Sequence, residues 1–208
     1  MAARMDDSFV ARIARKLGEP PRFASDGPKP MAGAARSGHS LLLASAAQFG
    51  RRPEHEEHTQ PSGFDPRGAA LFEAIVESAY LVATADGTFD ESELRAFQHV
   101  VLTLCAGALT EVQVGALVFA LQERLAMQGR AARMLAVSQA VSWCGNASEV
   151  LRIAVLMAEA SGGVSAEERA VLEELGRGFV LSPHVLEEIL EEVSALRARP
   201  ETSDETTT

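Results

Sequence analysis

The sequence is poor in aromatic residues, cysteine and lysine, and it has no long apolar run. Aromatics make up 5% of the 208 residues, while alanine, leucine, valine and glutamate abound. That balance disfavours a sheet and favours helices. The two cysteines, Cys105 and Cys144, lie far apart in apolar surroundings. They read as buried free thiols of a reducing compartment rather than as a disulfide. No CxxC pair or Cys/His cluster of zinc-binding spacing occurs. No apolar run reaches the roughly 18–20 residues needed to cross a bilayer. Asp6 and Asp7 interrupt the N-terminus and no long apolar stretch follows, so the reading is a cytoplasmic chain without a secretory leader.

What charge there is falls unevenly. Residues 1–67 carry 10 Lys+Arg against 8 Asp+Glu, a net of +2, and hold both lysines, Lys16 and Lys29. Residues 68–208 carry 9 against 21, a net of −12. An acidic body repels phosphate backbones, which argues against nucleic acid and for a basic protein partner or a cation.

The composition divides the chain into an N-terminal arm (1–67), a helical domain (68–197) and a polar tail (198–208) expected to be disordered. In the arm, Phe9, Val10, Ile13 and Leu17 share one helical face, and Arg4, Arg12, Arg15 and Lys16 another. Such a basic amphipathic helix suits a membrane surface or a partner, and equally packing on its own domain. Asp6 and Asp7 weaken the field a membrane would need. Pro20, Pro21, Pro28 and Pro30 then break regular structure, Ser40–Phe49 predicts a short helix, and residues 50–67 read as linker. The arm is therefore expected to be largely irregular.

From Gly68 onward, apolar residues recur at helical spacing in seven segments. They are centred on Leu71–Ala83, Leu94–Leu104, Val114–Leu125, Met134–Val141, Val150–Met157, Val171–Phe179 and Leu186–Leu196. Breaks fall at Gly87, Gly107, Gly129, Gly145, Gly162 and Pro183. No stretch alternates with period two, so the predicted class is all-α.

An internal repeat is the most informative feature. Residues 83–93 read ATADGTFDESE and residues 158–168 read AEASGGVSAEE. At an offset of 75, Asp86 faces Ser161, Gly87 faces Gly162, Phe89 faces Val164, Asp90 faces Ser165 and Glu93 faces Glu168. Glycine at positive φ ends one helix, and Asp90 or Ser165 with the glutamate three residues on forms a capping box for the next. Phe89 and Val164 staple each corner to the core. The domain is thus expected to comprise two pseudo-repeated helical units.

Two site readings follow. Cap chemistry leaves Asp86 without a task, and Asp86, Asp90 and Glu93 together offer oxygen ligands for a divalent cation: calcium, magnesium or zinc. The second copy, with Ser161 and Ser165, has lost two carboxylates. The other reading is an acidic ridge, Glu167, Glu168, Glu173, Glu174, Glu187, Glu188, Glu191 and Glu192, denser than solubility requires and suited to docking a basic protein. Like charges four apart on a helix repel, so their crowding costs stability.

The doubled corner, A-x-A-D-G-x-φ-[DS]-x-x-E, resembles that of the tellurite-resistance TerB family, to which the N-terminal domain of the DjlA co-chaperones is related. The resemblance covers roughly residues 68–196. It implies a compact seven-helix bundle with internal pseudo-symmetry. It also implies a non-enzymatic module that binds proteins, and in the alternative metal ions, in membrane-associated stress complexes. The family's acidic loop residues map to Asp86, Asp90 and Glu93, and in the second copy to Glu168 alone. No His-Pro-Asp signature of a J-domain is present, so a co-chaperone reading lacks its effector.

The remaining constellations carry little chemistry. His55-Glu-Glu-His58 lies between prolines rather than on a helix, and Gly38-His39-Ser40 lacks the second glycine of a nucleophile elbow. Trp143-Cys144 reads as buried, and His99 and His184 as packing or surface histidines. No nucleophile, base and oxyanion donors assemble, so the chain reads as a binding module, not an enzyme.

Overall fold

Helix-forming composition, capped starts and glycine stops leave one outcome for most of the chain. The computed structural model describes residues 7–18, 40–52, 63–87, 89–142, 145–161 and 163–198. Among them are eight helices and no strand. These are α1 (Asp7–Gly18), α2 (Leu41–Gly50), α3 (Pro66–Ala83), α4 (Glu91–Leu104), α5 (Glu111–Ser142), α6 (Ala147–Ser161), α7 (Ala166–Gly178) and α8 (Pro183–Ala198).

The starts follow the sequence signals. Asp65 caps α3 by accepting from the Arg67 amide at 2.9 Å, with Pro66 at the first helical position. Pro183 likewise opens α8. The two segments expected on either side of Gly129 run on as α5, interrupted at Gly129 itself, whose φ of 77° and ψ of 162° are not helical. Only glycine takes such a conformation without strain, and the chain turns there.

Helices α3 and α6 are buried on nearly all sides. Leu71–Val82 and Val150–Ala158 form the centre of the core, and a helix apolar nearly all round belongs in the interior. The two pack on each other, with α2, α5 and α7 against α3 and α4, α7 and α8 against α6.

The two short helices expected among the N-terminal residues are present as α1 and α2. Phe9, Val10, Ile13 and Leu17 of α1, and Leu42 and Ala46 of α2, belong to the same hydrophobic cluster as α3–α8. The apolar face of α1 rests on α4, α6 and α8. Of the three uses its pattern allows, packing on its own body is the one adopted, and α1 and α2 join the bundle; residues 19–39 and 53–62 of the expected arm lie outside the described residues. Among the described residues no helix is long and apolar enough to cross a membrane.

One strained position stands out. Val180 follows the C-cap of α7 with φ of 60°, in a Schellman turn in which Leu181 N donates to Gly176 O (2.9 Å) and Val180 N to Arg177 O (3.0 Å). Glycine is usual at this place; a β-branched residue is not. Val180 is also 90% exposed, so its side chain contributes almost no packing in return. Val180→Gly should therefore raise stability by about 1 kcal/mol, since the left-handed conformation costs an L-residue roughly 1–2 kcal/mol and glycine's greater unfolded-state freedom offsets part of that. An unchanged urea midpoint would show that no strain is stored there.

Candidate functional site

The first corner begins at Thr84, where α3 ends. Gly87 takes φ of 83°, a left-handed conformation that glycine accepts without strain. Phe89 lies against Tyr80 (5.3 Å between ring centroids) and Phe97 (6.2 Å), and Tyr80 touches Phe97 at 5.8 Å, all near-perpendicular. Edge-to-face trios of this kind are the favourable arrangement for aromatic rings. Asp90 then caps α4: its Oδ1 accepts from Ser92 N (2.7 Å) and Glu93 N (2.9 Å), and Glu93 Oε2 accepts from Asp90 N (2.9 Å). The amide of Glu93, with help from Ser92, holds the Asp90 carboxyl below its ordinary value. Arg130, just past the turn in α5, donates to the carbonyls of Thr84 and Ala85 and so secures the end of α3.

The second corner has the same cap. Ser165 and Asp90 have nearly equal backbone angles, and Ser165 Oγ accepts from Glu168 N (3.1 Å) while Glu168 Oε2 accepts from Ser165 N (2.8 Å). Gly162 and the Ser161 side chain lie outside the described residues, as do Trp143, Cys144, His55, His58, Gly38 and His39. Burial raises the Glu168 carboxyl, opposed by its hydrogen bonds to Ser165 and reinforced by the charges of Asp86 and Glu159.

Asp86 acts electrostatically on Glu168 of the other corner, while Asp90 and Glu93 turn their carboxylates to each other's backbone. Among the described residues no three His, Cys, Asp or Glu side chains are gathered as they would be around a metal ion. Of the oxygens sought for calcium, magnesium or zinc at Asp86, Asp90 and Glu93, Asp90 Oδ1 and Glu93 Oε2 accept the hydrogen bonds of the cap. Cys105 is buried and free, and burial pushes its thiol up to about 12, so it stays protonated and unreactive.

The acidic ridge is placed on α7 and α8 but is not uniform. Arg169 bridges Glu173 (3.3 Å) and Glu187, and His184 meets Glu188 at 3.0 Å. Glu168 is committed to its cap. Glu192 turns inward. Its two oxygens accept from Arg152 Nε (3.1 Å) and Nη2 (3.2 Å), and Lys16 Nζ stands 3.7 Å away. Glu167, Glu174 and Glu191 are exposed and make no ion pair with any described residue.

Two buried ion pairs escape a reading by spacing alone. Arg152 also donates to Glu149 at 3.0 Å, and both are buried, at 3% and 2% exposure of their side chains. Burial raises the Glu149 carboxyl against the pull of Arg152; burial depresses Arg152, but Glu192 and Glu149 outweigh it and hold its pKa up. On α3, Glu77 accepts from Arg133 Nε (2.6 Å) and Nη2 (2.7 Å), a two-pronged pair joining α3 to α5. Beside it Glu73 receives Arg124 (3.2 Å) and Arg52. These pairs line a groove of about 190 Å³, and each arginine in it is matched by a carboxylate. The signal for them is a charge inside an apolar run: Glu77 after Ile75-Val76, and Arg152 between Leu151 and Ile153. The offset of 75 sets these two residues opposite one another.

No protein-family model matches this chain, and neither a curated protein nor a solved structure matches it.

Proposed function

We propose that the chain is a TerB-like, non-enzymatic interaction module of a cytoplasmic chemical-stress response, binding a basic protein through the exposed face of α7 and α8. The observation that carries this reading is the imbalance of charge on those helices. Residues 166–198 hold eight glutamates against three arginines, and Glu167, Glu174 and Glu191 face solvent without a cation. Such a surface steers a positively charged partner and repels nucleic acid. The doubled corner supports the family resemblance: its two capping boxes have the same geometry. A binding role is favoured over catalysis by the inert Cys105 thiol and by the commitment of Asp90, Glu93 and Glu168 to caps.

The test is charge reversal that spares the fold. Glu192 must be left alone because it anchors Arg152. With Glu174→Lys, Glu188→Lys and Glu191→Lys combined, recovery of the partner on the immobilised chain should fall at least tenfold at physiological salt. A control reversing the exposed Glu111 and Glu123 on α5 should leave it unchanged. Equal recovery by both variants would remove the acidic-face reading.

A further inference from the structure

We propose that the seat of α1 between α4, α6 and α8 is a docking groove for a basic amphipathic helix, which α1 fills within its own molecule and which a partner's helix of the same pattern takes in its place. This goes beyond the α7–α8 reading: it rests on the chain being an interaction module and adds a second contact, in a defined groove.

The seat is built unlike the rest of the core. α1 enters it with four apolar side chains, Phe9, Val10, Ile13 and Leu17, at the i, i+1, i+4, i+8 spacing with which amphipathic helices anchor in grooves. Four buried apolar side chains are what offsets the ordering of this 12-residue helix. The seat is also charged. Without α1, Glu149 and Glu192 face one cation, Arg152; Lys16 supplies the second. Glu149 Oε2 has no hydrogen-bond partner in the described structure although it is buried, and neither has Arg12 Nε. At the other end Phe9 lies between the guanidinium groups of Arg12 (5.5 Å) and Arg197 (5.2 Å), and Arg197 Nη1 reaches Glu159 Oε2 at 2.9 Å. A permanent contact gains little from buried ions that apolar residues could replace, whereas a selective one gains discrimination. The excess carboxylate in the seat fits a helix with lysine one residue before its last apolar anchor, as in Lys16-Leu17.

The experiment adds a fluorescent peptide of residues 7–18 to the full chain carrying Ile13→Asp, which unseats the chain's own helix. The peptide should bind this variant at least tenfold more tightly than it binds wild type, where α1 competes. A Lys16→Glu peptide should bind at least tenfold more weakly. Equal affinity for variant and wild type, or no effect of Lys16→Glu, overturns the proposal. The triple reversal Glu174→Lys, Glu188→Lys, Glu191→Lys, combined with Ile13→Asp, should leave peptide affinity within twofold. If it does not, the peptide is reading the α7–α8 ridge, and the groove falls while the acidic-face reading stands. Should Ile13→Asp fail to fold, hydrogen exchange on wild type decides: α1 amides should exchange at least 100-fold faster than those of α6. Exchange of both helices in one step overturns the proposal, as does a wild-type dimer in sedimentation that has traded α1 between copies.

Discussion

Arg152→Leu is expected to destabilise the chain by about 3–5 kcal/mol at neutral pH, the usual cost of removing one partner from a buried ion pair. Arg152 is buried between Glu149 and Glu192, and its attraction is the strongest that Glu149 feels. The loss should depend on pH in a direction that follows from Glu149. Its carboxyl is already raised above the ordinary 4.5 by burial, with Arg152 opposing the rise. A carboxyl raised in the folded state favours folding most below its unfolded pKa, and that contribution disappears as pH climbs through the folded value. Removing Arg152 raises Glu149 further, so the variant should lose more stability at pH 8 than near pH 5, where the proton begins to substitute for the missing cation. Urea denaturation of wild type and variant at both pH values measures this. A gap of the same size at each would mean that solvent, not Arg152, neutralises Glu149.

The second large effect concerns Glu77 and Arg133. Both side chains are nearly inaccessible, at 6% and 12% exposure, and they meet through two parallel hydrogen bonds. Arg133→Ala should cost about 3–5 kcal/mol because Glu77 is left as an uncompensated charge in the interior. Glu77→Met combined with Arg133→Leu should restore most of that loss and lie within about 1 kcal/mol of wild type or above it, since apolar groups of similar volume avoid the desolvation cost. A double-mutant cycle by chemical denaturation separates the outcomes. If the double variant is as unstable as Arg133→Ala, the pair contributes packing that apolar side chains cannot reproduce. Glu73, with Arg124 and Arg52 beside it, is near enough to couple, so the cycle should be run with those three residues intact.

Much of this molecule can be read from local signals, because caps and glycine turns act over three or four residues. Asp90 with Glu93, and Ser165 with Glu168, form the capping boxes their spacing predicts, and Gly87 and Gly129 take the positive φ that only glycine accepts easily. Readings that depend on which residues meet across the bundle fared differently. The face of Phe9, Val10, Ile13 and Leu17 is the same whether the helix meets a membrane, a partner or its own domain, so pattern alone could not choose. Glu191 and Glu192 are neighbours in sequence, yet a rotation of 100° along α8 puts one in solvent and the other on Arg152. Asp86 sits four residues before Asp90, yet its charge also raises the Glu168 carboxyl of the second corner, which spacing alone does not foretell. Asp86, Asp90 and Glu93 are close in sequence, yet among the described residues no three such side chains are gathered as around a metal ion.

The ring trio at the first corner has a practical consequence for spectroscopy. Tyr80 is the chain's one tyrosine, and burial between Phe89 and Phe97 lifts its phenol above 10.0, partly countered by a hydrogen bond with Gln122. Its near-ultraviolet absorbance on alkaline titration therefore reports on one place only. A phenol that ionises at the ordinary value announces that this corner has opened, in an unlabelled, unsubstituted chain.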